Sequence, residues 1–163
     1  KKRLESNSLA KPKPKIPVII VGNITIGGTG KTPLVKYIAQ NLQKLGYKPG
    51  LVSRGYGGKF KETLRVDDST SVKQTGDEAQ ILSTLGIPFY IDKNRLRAVN
   101  KLIEETDCNV IISDDGLQHY NMHRDIEILV IDGKRRFGNN LLFPAGPLRE
   151  SKKRSKDQTL IIK

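Results

Sequence analysis

Apolar residues along this chain fall into short runs that alternate with longer stretches of helical spacing. Val18-Ile19-Ile20-Val21 is an apolar, β-branched run leading straight into Gly22 and a glycine-rich loop. That pattern predicts a central strand buried on both faces. Beyond the loop, Leu34, Val35, Ile38, Ala39, Leu42 and Leu45 recur at helical spacing, with Pro33 suited to the first turn and Gly46 to the stop. The alternation continues with a strand at 50–53, a polar glycine-rich loop at 54–61 and a helix near 77–85. A strand at Phe89–Ile91, a helix at Arg95–Glu105 and strands at 110–113 and 126–131 follow. Leu160–Ile162 reads as the start of another strand, with nothing after it to cover or pair it. Apolar strands alternating with amphipathic helices predict an α/β fold, a mostly parallel sheet with helices on both faces.

A length of 163 residues predicts one domain. At 36% hydrophobic and 28% charged, the composition excludes collagen-like and low-complexity material. A single cysteine, Cys108, excludes a disulfide framework and any zinc site of paired cysteines, and makes a reducing compartment the default. The net charge is +12, but its placement says more than its size. Residues 1–15 hold six Lys/Arg and one acid, residues 134–163 hold nine and two, and residues 16–133 hold 14 of each sign. The excess therefore sits at the two ends, around a balanced body. The Lys/Pro alternation at 11–15 marks residues 1–15 as a basic linker. No apolar run approaches the ~20 residues that a membrane span requires.

Residues 25–32 read Thr25-Ile26-Gly27-Gly28-Thr29-Gly30-Lys31-Thr32, between the buried strand and the first helix. A phosphate-binding loop needs glycines so that backbone N–H groups can approach phosphate oxygens. It needs the lysine for the β- and γ-phosphates, and the following hydroxyl for Mg²⁺. The strict G-x-x-x-x-G-K-[ST] pattern fails only at its first position, Thr25, and the strand–loop–helix setting is intact. Nucleoside triphosphate binding follows.

Asp114 and Asp115 end an apolar strand, which is where a doubly wound sheet places its ligands and a P-loop enzyme its Mg²⁺-holding acid. Asp77 and Glu78 open a predicted helix, where local sequence is equally consistent with simple complementation of the helix dipole. Arg54, within Ser53-Arg54-Gly55-Tyr56-Gly57-Gly58, suits either contact with an anionic substrate or a flexible loop. His119 and His123 read first as hydrogen-bonded structural residues.

Taken together, VGNITIGGTGKTP (21–33), GLVSRGYGG (50–58), GDEA (76–79), IISDDGLQHY (111–120), RDIEILVIDG (124–133) and FGNNLLFPAGPLRE (137–150) resemble the tetraacyldisaccharide 4′-kinases, the lipid A 4′-kinases of Gram-negative bacteria. The segments stand in family order and cover essentially all of 16–163. Thr25 is the family's own form of the loop. The resemblance implies a P-loop NTPase-like fold and transfer of the γ-phosphoryl group of ATP to the 4′-hydroxyl of a disaccharide 1-phosphate lipid, giving lipid IV_A at the cytoplasmic face of the inner membrane. It implies that Lys31 stabilises the transferring phosphate, within a nucleotide cradle formed with Thr25, Gly27, Gly28, Thr29, Gly30 and Gln118. Mg²⁺ falls to Thr32, Asp114 and Asp115. Asp77 becomes the base for the sugar hydroxyl, with Arg54, Glu78, Arg149 and Glu150 on the substrate side. His119 becomes a motif residue of open role.

The family also carries an N-terminal hydrophobic helix and a second, C-terminal domain. The expectation is therefore that 1–163 is a kinase core between them, monomeric, binding Mg·ATP and nearly inactive alone. In that setting Lys1, Lys2, Arg3 and the basic cluster at 134–156 would face anionic lipid. Two other readings compete. One is a P-loop NTPase acting as a switch or in cofactor delivery, with water as its only acceptor. The other is a nucleic-acid-binding module, which the 6% aromatic content, the absence of tryptophan and the lack of a basic stripe within 16–133 argue against.

Overall fold

A computed structural model describes residues 13–163. The expectations for Lys1, Lys2, Arg3 and most of the 1–15 linker lie outside the described residues.

The strands are β1 (Val18–Gly22), β2 (Pro49–Ser53), β3 (Leu64–Arg65), β4 (Phe89–Ile91), β5 (Val110–Asp114), β6 (Ile126–Val130) and β7 (Leu160–Ile162). They form one sheet in the order β3-β4-β2-β5-β1-β6-β7. Every pairing is parallel except β3 with β4. The helices are α1 (Lys31–Lys44), α2 (Val72–Thr75), α3 (Asp77–Ser83) and α4 (Arg95–Glu105), and a 3-10 helix spans Lys152–Asp157.

The two-residue repeat of a strand divides the apolar residues between two cores. Val18, Ile20, Val52, Tyr90, Ile111 and Leu129 face α4, meeting Ala98, Val99 and Leu102. Ile19, Val21, Leu51, Phe89, Ile91, Ile112, Ile128 and Val130 face α1 and α3, meeting Val35, Ala39, Ala79 and Leu82. Both sides of the sheet are thus covered by helices, and the central strands read as unbroken apolar runs because each face is buried.

Three short elements are invisible to periodicity: β3, α2 and the 3-10 helix. β3 has only two residues, with Leu64 opposite Ile91, and α2 is a single capped turn in which the Ser71 backbone N–H donates to the Gln74 side chain at 3.1 Å. The last strand does find a partner, since Leu160 lies opposite Ile128 and Ile162 opposite Val130 in the preceding strand.

Between α2 and α3 the chain turns at Gly76, with φ 83° and ψ 161°, a region open in practice only to glycine. A Cβ there would stand 2.0 Å from the Tyr56 carbonyl oxygen, and one on Gly58 would stand 2.3 Å from that of Gln74. This close approach locks the 54–60 loop to the start of α3. Gly76→Ala is therefore expected to destabilise the fold by about 2–4 kcal/mol. Gly86→Ala, also at positive φ but with no atom within 4 Å of the added carbon, should cost no more than ~1–2 kcal/mol. Denaturant midpoints of the two variants, compared side by side, check this.

Candidate functional site

Parallel register builds the site. Val21 lies opposite Asp114, so the loop leaving β1 and the acidic end of β5 emerge side by side at the carboxyl edge of the sheet. This is the edge at which ligands enter such folds.

The loop from Asn23 to Gly30 ends on Gly30, whose φ of 84° turns the chain into α1, while Gly27 sits at φ 97°. Cβ atoms on Gly28 and Gly30 would meet nothing within 4 Å, so both present bare backbone to open space. Lys31, the first residue of α1, folds its side chain back and is 11% exposed. Its Nζ donates to Asn23 Oδ1 at 3.2 Å and lies 3.5 Å from Asp115 Oδ1. Asn23 in turn donates through Nδ2 to the Gly27 carbonyl at 3.4 Å, and Gln118 donates to the Asn23 carbonyl at 3.0 Å. Loop, lysine and DDGLQ segment are thereby fixed to one another.

Asp115 adopts φ 48° and receives Arg149 Nη1 at 2.9 Å on its other oxygen. Burial pushes its carboxyl up, but Lys31 and Arg149 outweigh that and hold it below the ordinary value. Asp114 behaves oppositely. It is 2% exposed, its Oδ1 has no hydrogen-bond partner, and burial reinforced by the neighbouring Asp115 raises its pKa to about 6. Two adjacent carboxylates thus differ in charge affinity, one neutralised by cations and one short of them. Asp114 is the carboxylate that a divalent cation would relieve.

A cavity of about 320 Å³ at this edge brings together Arg54, Glu78, Asp114, Asp115, Gln118 and Arg149, with Ser53, Tyr56 and His119 completing its wall. Gln118 and His119 also line an adjoining cavity of about 460 Å³, to which Lys93 and Arg95 belong. Burial, followed by the positive charges of Arg95 and Arg54, lowers the His119 pKa to about 4, so its imidazole is neutral at physiological pH.

Other sequence-derived candidates stand at the margins. Thr32 follows Lys31 in the first turn of α1, and Thr29 is buried with its hydroxyl unpartnered. Thr25 pairs through its backbone with Leu148, away from the cavity. Asp77 is exposed as the first residue of α3, one position before Glu78. Glu150 turns from Arg149's side, accepting a hydrogen bond from the Tyr120 hydroxyl and lying 3.8 Å from Arg154. His123 is structural, with Nε2 3.0 Å from Asp125.

Residues not singled out in the sequence also contribute. Asn23 is fully buried and holds Lys31. Its one signal is an amide immediately after an apolar strand, a position that burial makes costly unless it is bonded. Arg95, 2% exposed, donates to the carbonyls of Asp92 and Asp114 at 2.8 and 3.2 Å, whereas at a helix start it reads as a surface residue. Among the described residues no cluster of three or more His, Cys, Asp and Glu forms a protein cage for a metal. A Mg²⁺ ion ordinarily takes one or two carboxylates, a hydroxyl, phosphate oxygens and water, and Thr32, Asp114 and Asp115 supply that set of donors.

Comparison with known proteins gives a consistent outcome. Residues 1–163 match the family described as LpxK, tetraacyldisaccharide-1-P 4′-kinase. The tetraacyldisaccharide 4′-kinase of Shewanella amazonensis is 51% identical over 148 residues, 90% of this chain and 42% of the relative. That of Methylobacillus flagellatus is 49% identical over 152 residues, 92% of this chain and 45% of the relative. A crystal structure of LpxK from Aquifex aeolicus in complex with ATP superposes with a TM-score of 0.83 at 34% identity, covering 91% of this chain and 48% of that one. The chain spans somewhat less than half the length of these relatives.

Proposed function

Because the chain belongs to the tetraacyldisaccharide-1-P 4′-kinase family, we propose that it transfers the γ-phosphoryl group of ATP to the 4′-hydroxyl of a tetraacyldisaccharide 1-phosphate, forming lipid IV_A. The observation that carries this reading is the meeting of Lys31, Asp115 and Arg149 beside an under-neutralised Asp114 at the mouth of the glycine loop.

Phosphoryl transfer asks little covalent chemistry of a protein; it asks for alignment and for neutralisation of phosphate charge. The backbone of Gly27, Gly28, Thr29 and Gly30 turns toward phosphate oxygens, with Thr25 as the start of the cradle. Lys31, kept straight by Asn23 and Asp115, reaches the β- and γ-oxygens. Thr32, Asp114 and Asp115 would hold a Mg²⁺ ion, which would supply neutralisation of the phosphate charge. Gln118 fixes the loop's first carbonyl, and Arg149 keeps Asp115 ionised. On the acceptor side Arg54 and Glu78 line the cavity. Asp77, at the solvent-facing start of α3, orients and deprotonates the sugar hydroxyl, and Glu150 supports Arg149's segment through Tyr120.

The acceptor is a lipid, and the lysines and arginines of 134–156 suit an anionic bilayer surface, each near-surface charge contributing about 1 kcal/mol. We place the enzyme at the cytoplasmic face of the inner membrane, acting as a monomer with no nucleic-acid partner. Among the described residues no helix is long and apolar enough to cross a membrane.

The test is transfer of labelled γ-phosphate to the disaccharide 1-phosphate lipid in detergent micelles, using the full-length gene product. Labelled lipid is expected, with loss of about 10²–10⁴-fold in rate for Asp77→Ala. Consumption of ATP without labelled lipid would sink the kinase reading and leave a switch NTPase.

A further inference from the structure

The glycine loop is held from outside as well as from within. Its neighbour is the turn that follows β6. Asp132 caps that turn by accepting from the backbone N–H groups of Lys134 and Arg135, at 2.9 and 2.8 Å. Arg135 then extends across the gap. Its Nη2 donates to the Gly28 carbonyl at 2.8 Å, its Nε stands 3.5 Å from Asp132 Oδ2, and its two terminal nitrogens would lie 3.2 and 3.3 Å from a Cβ placed on Gly27. One guanidinium therefore joins the Asp132 carboxylate, in the turn after β6, to Gly27 and Gly28, which have no side chains with which to anchor themselves. Arg136 has the same charge and no hydrogen bond to the loop among the described residues.

We propose that Arg135 is a positioning residue for the nucleotide, bracing Gly27–Gly28 so that the backbone N–H groups of the loop are preorganised for phosphate. The inference rests on the nucleotide-binding reading of the loop and deepens it. The physical argument is one of entropy. Gly27 and Gly28, as glycines, lose more conformational freedom on ordering than other residue types do, and a loop ordered before binding returns that cost as affinity. An arginine suits the task because its planar fork engages two partners at once, here a carbonyl and a carboxylate, which a lysine does not reproduce. Arg135 does not line the cavity at which Asp114, Asp115 and Arg149 meet, and so leaves that cavity free.

The experiment measures Mg·ATP binding by calorimetry and hydrogen exchange of the Gly27–Gly30 amides without nucleotide, on the full-length gene product and its Arg135→Ala, Arg135→Lys and Arg136→Ala variants. Expected for Arg135→Ala are affinity weakened about tenfold, faster exchange of those amides, a raised KM for ATP and an unchanged KM for the acceptor. Arg135→Lys should recover only part of this, and Arg136→Ala should leave Mg·ATP affinity and the exchange of those amides within about twofold of the parent's. Unchanged thermal midpoints are expected throughout, because Arg135 is solvent-exposed. Equal behaviour of Arg135→Ala and Arg136→Ala overturns the brace, as does faster exchange without loss of affinity. A parent protein that binds no nucleotide overturns the reading beneath it, and the inference with it.

Discussion

Asp114→Asn is expected to give a protein that resists unfolding better than the parent at neutral pH while losing phosphoryl transfer. Asp114 carries a carboxyl that burial and Asp115 raise to about 6 from an ordinary value of 3.8. Between those two values the folded state binds a proton that the unfolded state has released, so stability falls as pH rises through that window. Above about pH 6 the ionised, buried group stands as a penalty on the order of 3 kcal/mol. The amide is nearly the same shape and carries no charge, so it removes that penalty. Thermal unfolding in the absence of Mg²⁺ should therefore show Asp114→Asn ahead of the parent at pH 7.5 and level with it near pH 4. Activity should move the other way, by at least ~10³-fold, because in the proposed mechanism Asp114 is the group that draws the cation to the phosphates. On the proposed mechanism, Mg²⁺ affinity of the parent is expected to rise between pH 5 and 7, as the ion displaces a proton. A variant no more stable than the parent at pH 7.5 contradicts the assignment of Asp114 as the under-neutralised carboxylate.

Lys31→Ala is the second large effect. Lys31 is the cation shared by Asn23, Asp115 and, in the proposed mechanism, the transferred phosphate. Its removal leaves Asp115 with Arg149 alone and takes a fixed positive charge from the place where negative charge moves during transfer. The expected loss in kcat/KM is about 10³-fold or more, arising mainly in kcat, since the glycine backbone still binds ATP. Lys31→Arg should recover little, because a planar fork does not fit a slot built for a compact ammonium. Steady-state kinetics over ATP concentration, with the lipid saturating, separates the two parameters. A variant impaired only in KM would place Lys31 in binding rather than in transfer.

Much of this architecture was legible in the pattern of residues. Five strands and the helices α1, α3 and α4 follow from runs and spacings, because both faces of a parallel sheet must be apolar and each covering helix must present a stripe. The short last strand was also legible, and its partner proved to be the strand before it. The edge strand β3 and the single-turn α2 were not, since two or four residues hold no period. The same division runs through the site. Lys31, Asp114 and Asp115 stand in segments whose residue types announce phosphate chemistry, Gln118 and Arg149 were implied by the family resemblance, and the structure brings all five together. Arg95 and Arg135 make their contacts with distant segments, and nothing local marks them, while Asn23 carries only the faint signal of an amide directly after an apolar run. Arg95 in particular is an arginine at a helix start, indistinguishable in sequence from a solvated one, until burial between two backbone carbonyls reveals it.

The backbone ties between the glycine loop and the 147–149 segment have a consequence for biosynthesis. Ile26 donates to the Pro147 carbonyl, and Arg149 donates to that of Ile24, each at 2.7 Å, across more than a hundred residues of chain. The central strand likewise waits for β5 on one side and β6 on the other. A chain leaving the ribosome therefore has its glycine-rich segment exposed early and without a sheet to stand on, so the loop takes up its folded geometry only after residues 147–149 have emerged. The apolar β1 run is unpaired during that interval, which makes it the segment at which chaperone capture or premature aggregation begins. On the proposed reading of the loop, nucleotide is therefore expected to stabilise the assembled fold rather than to assist its formation.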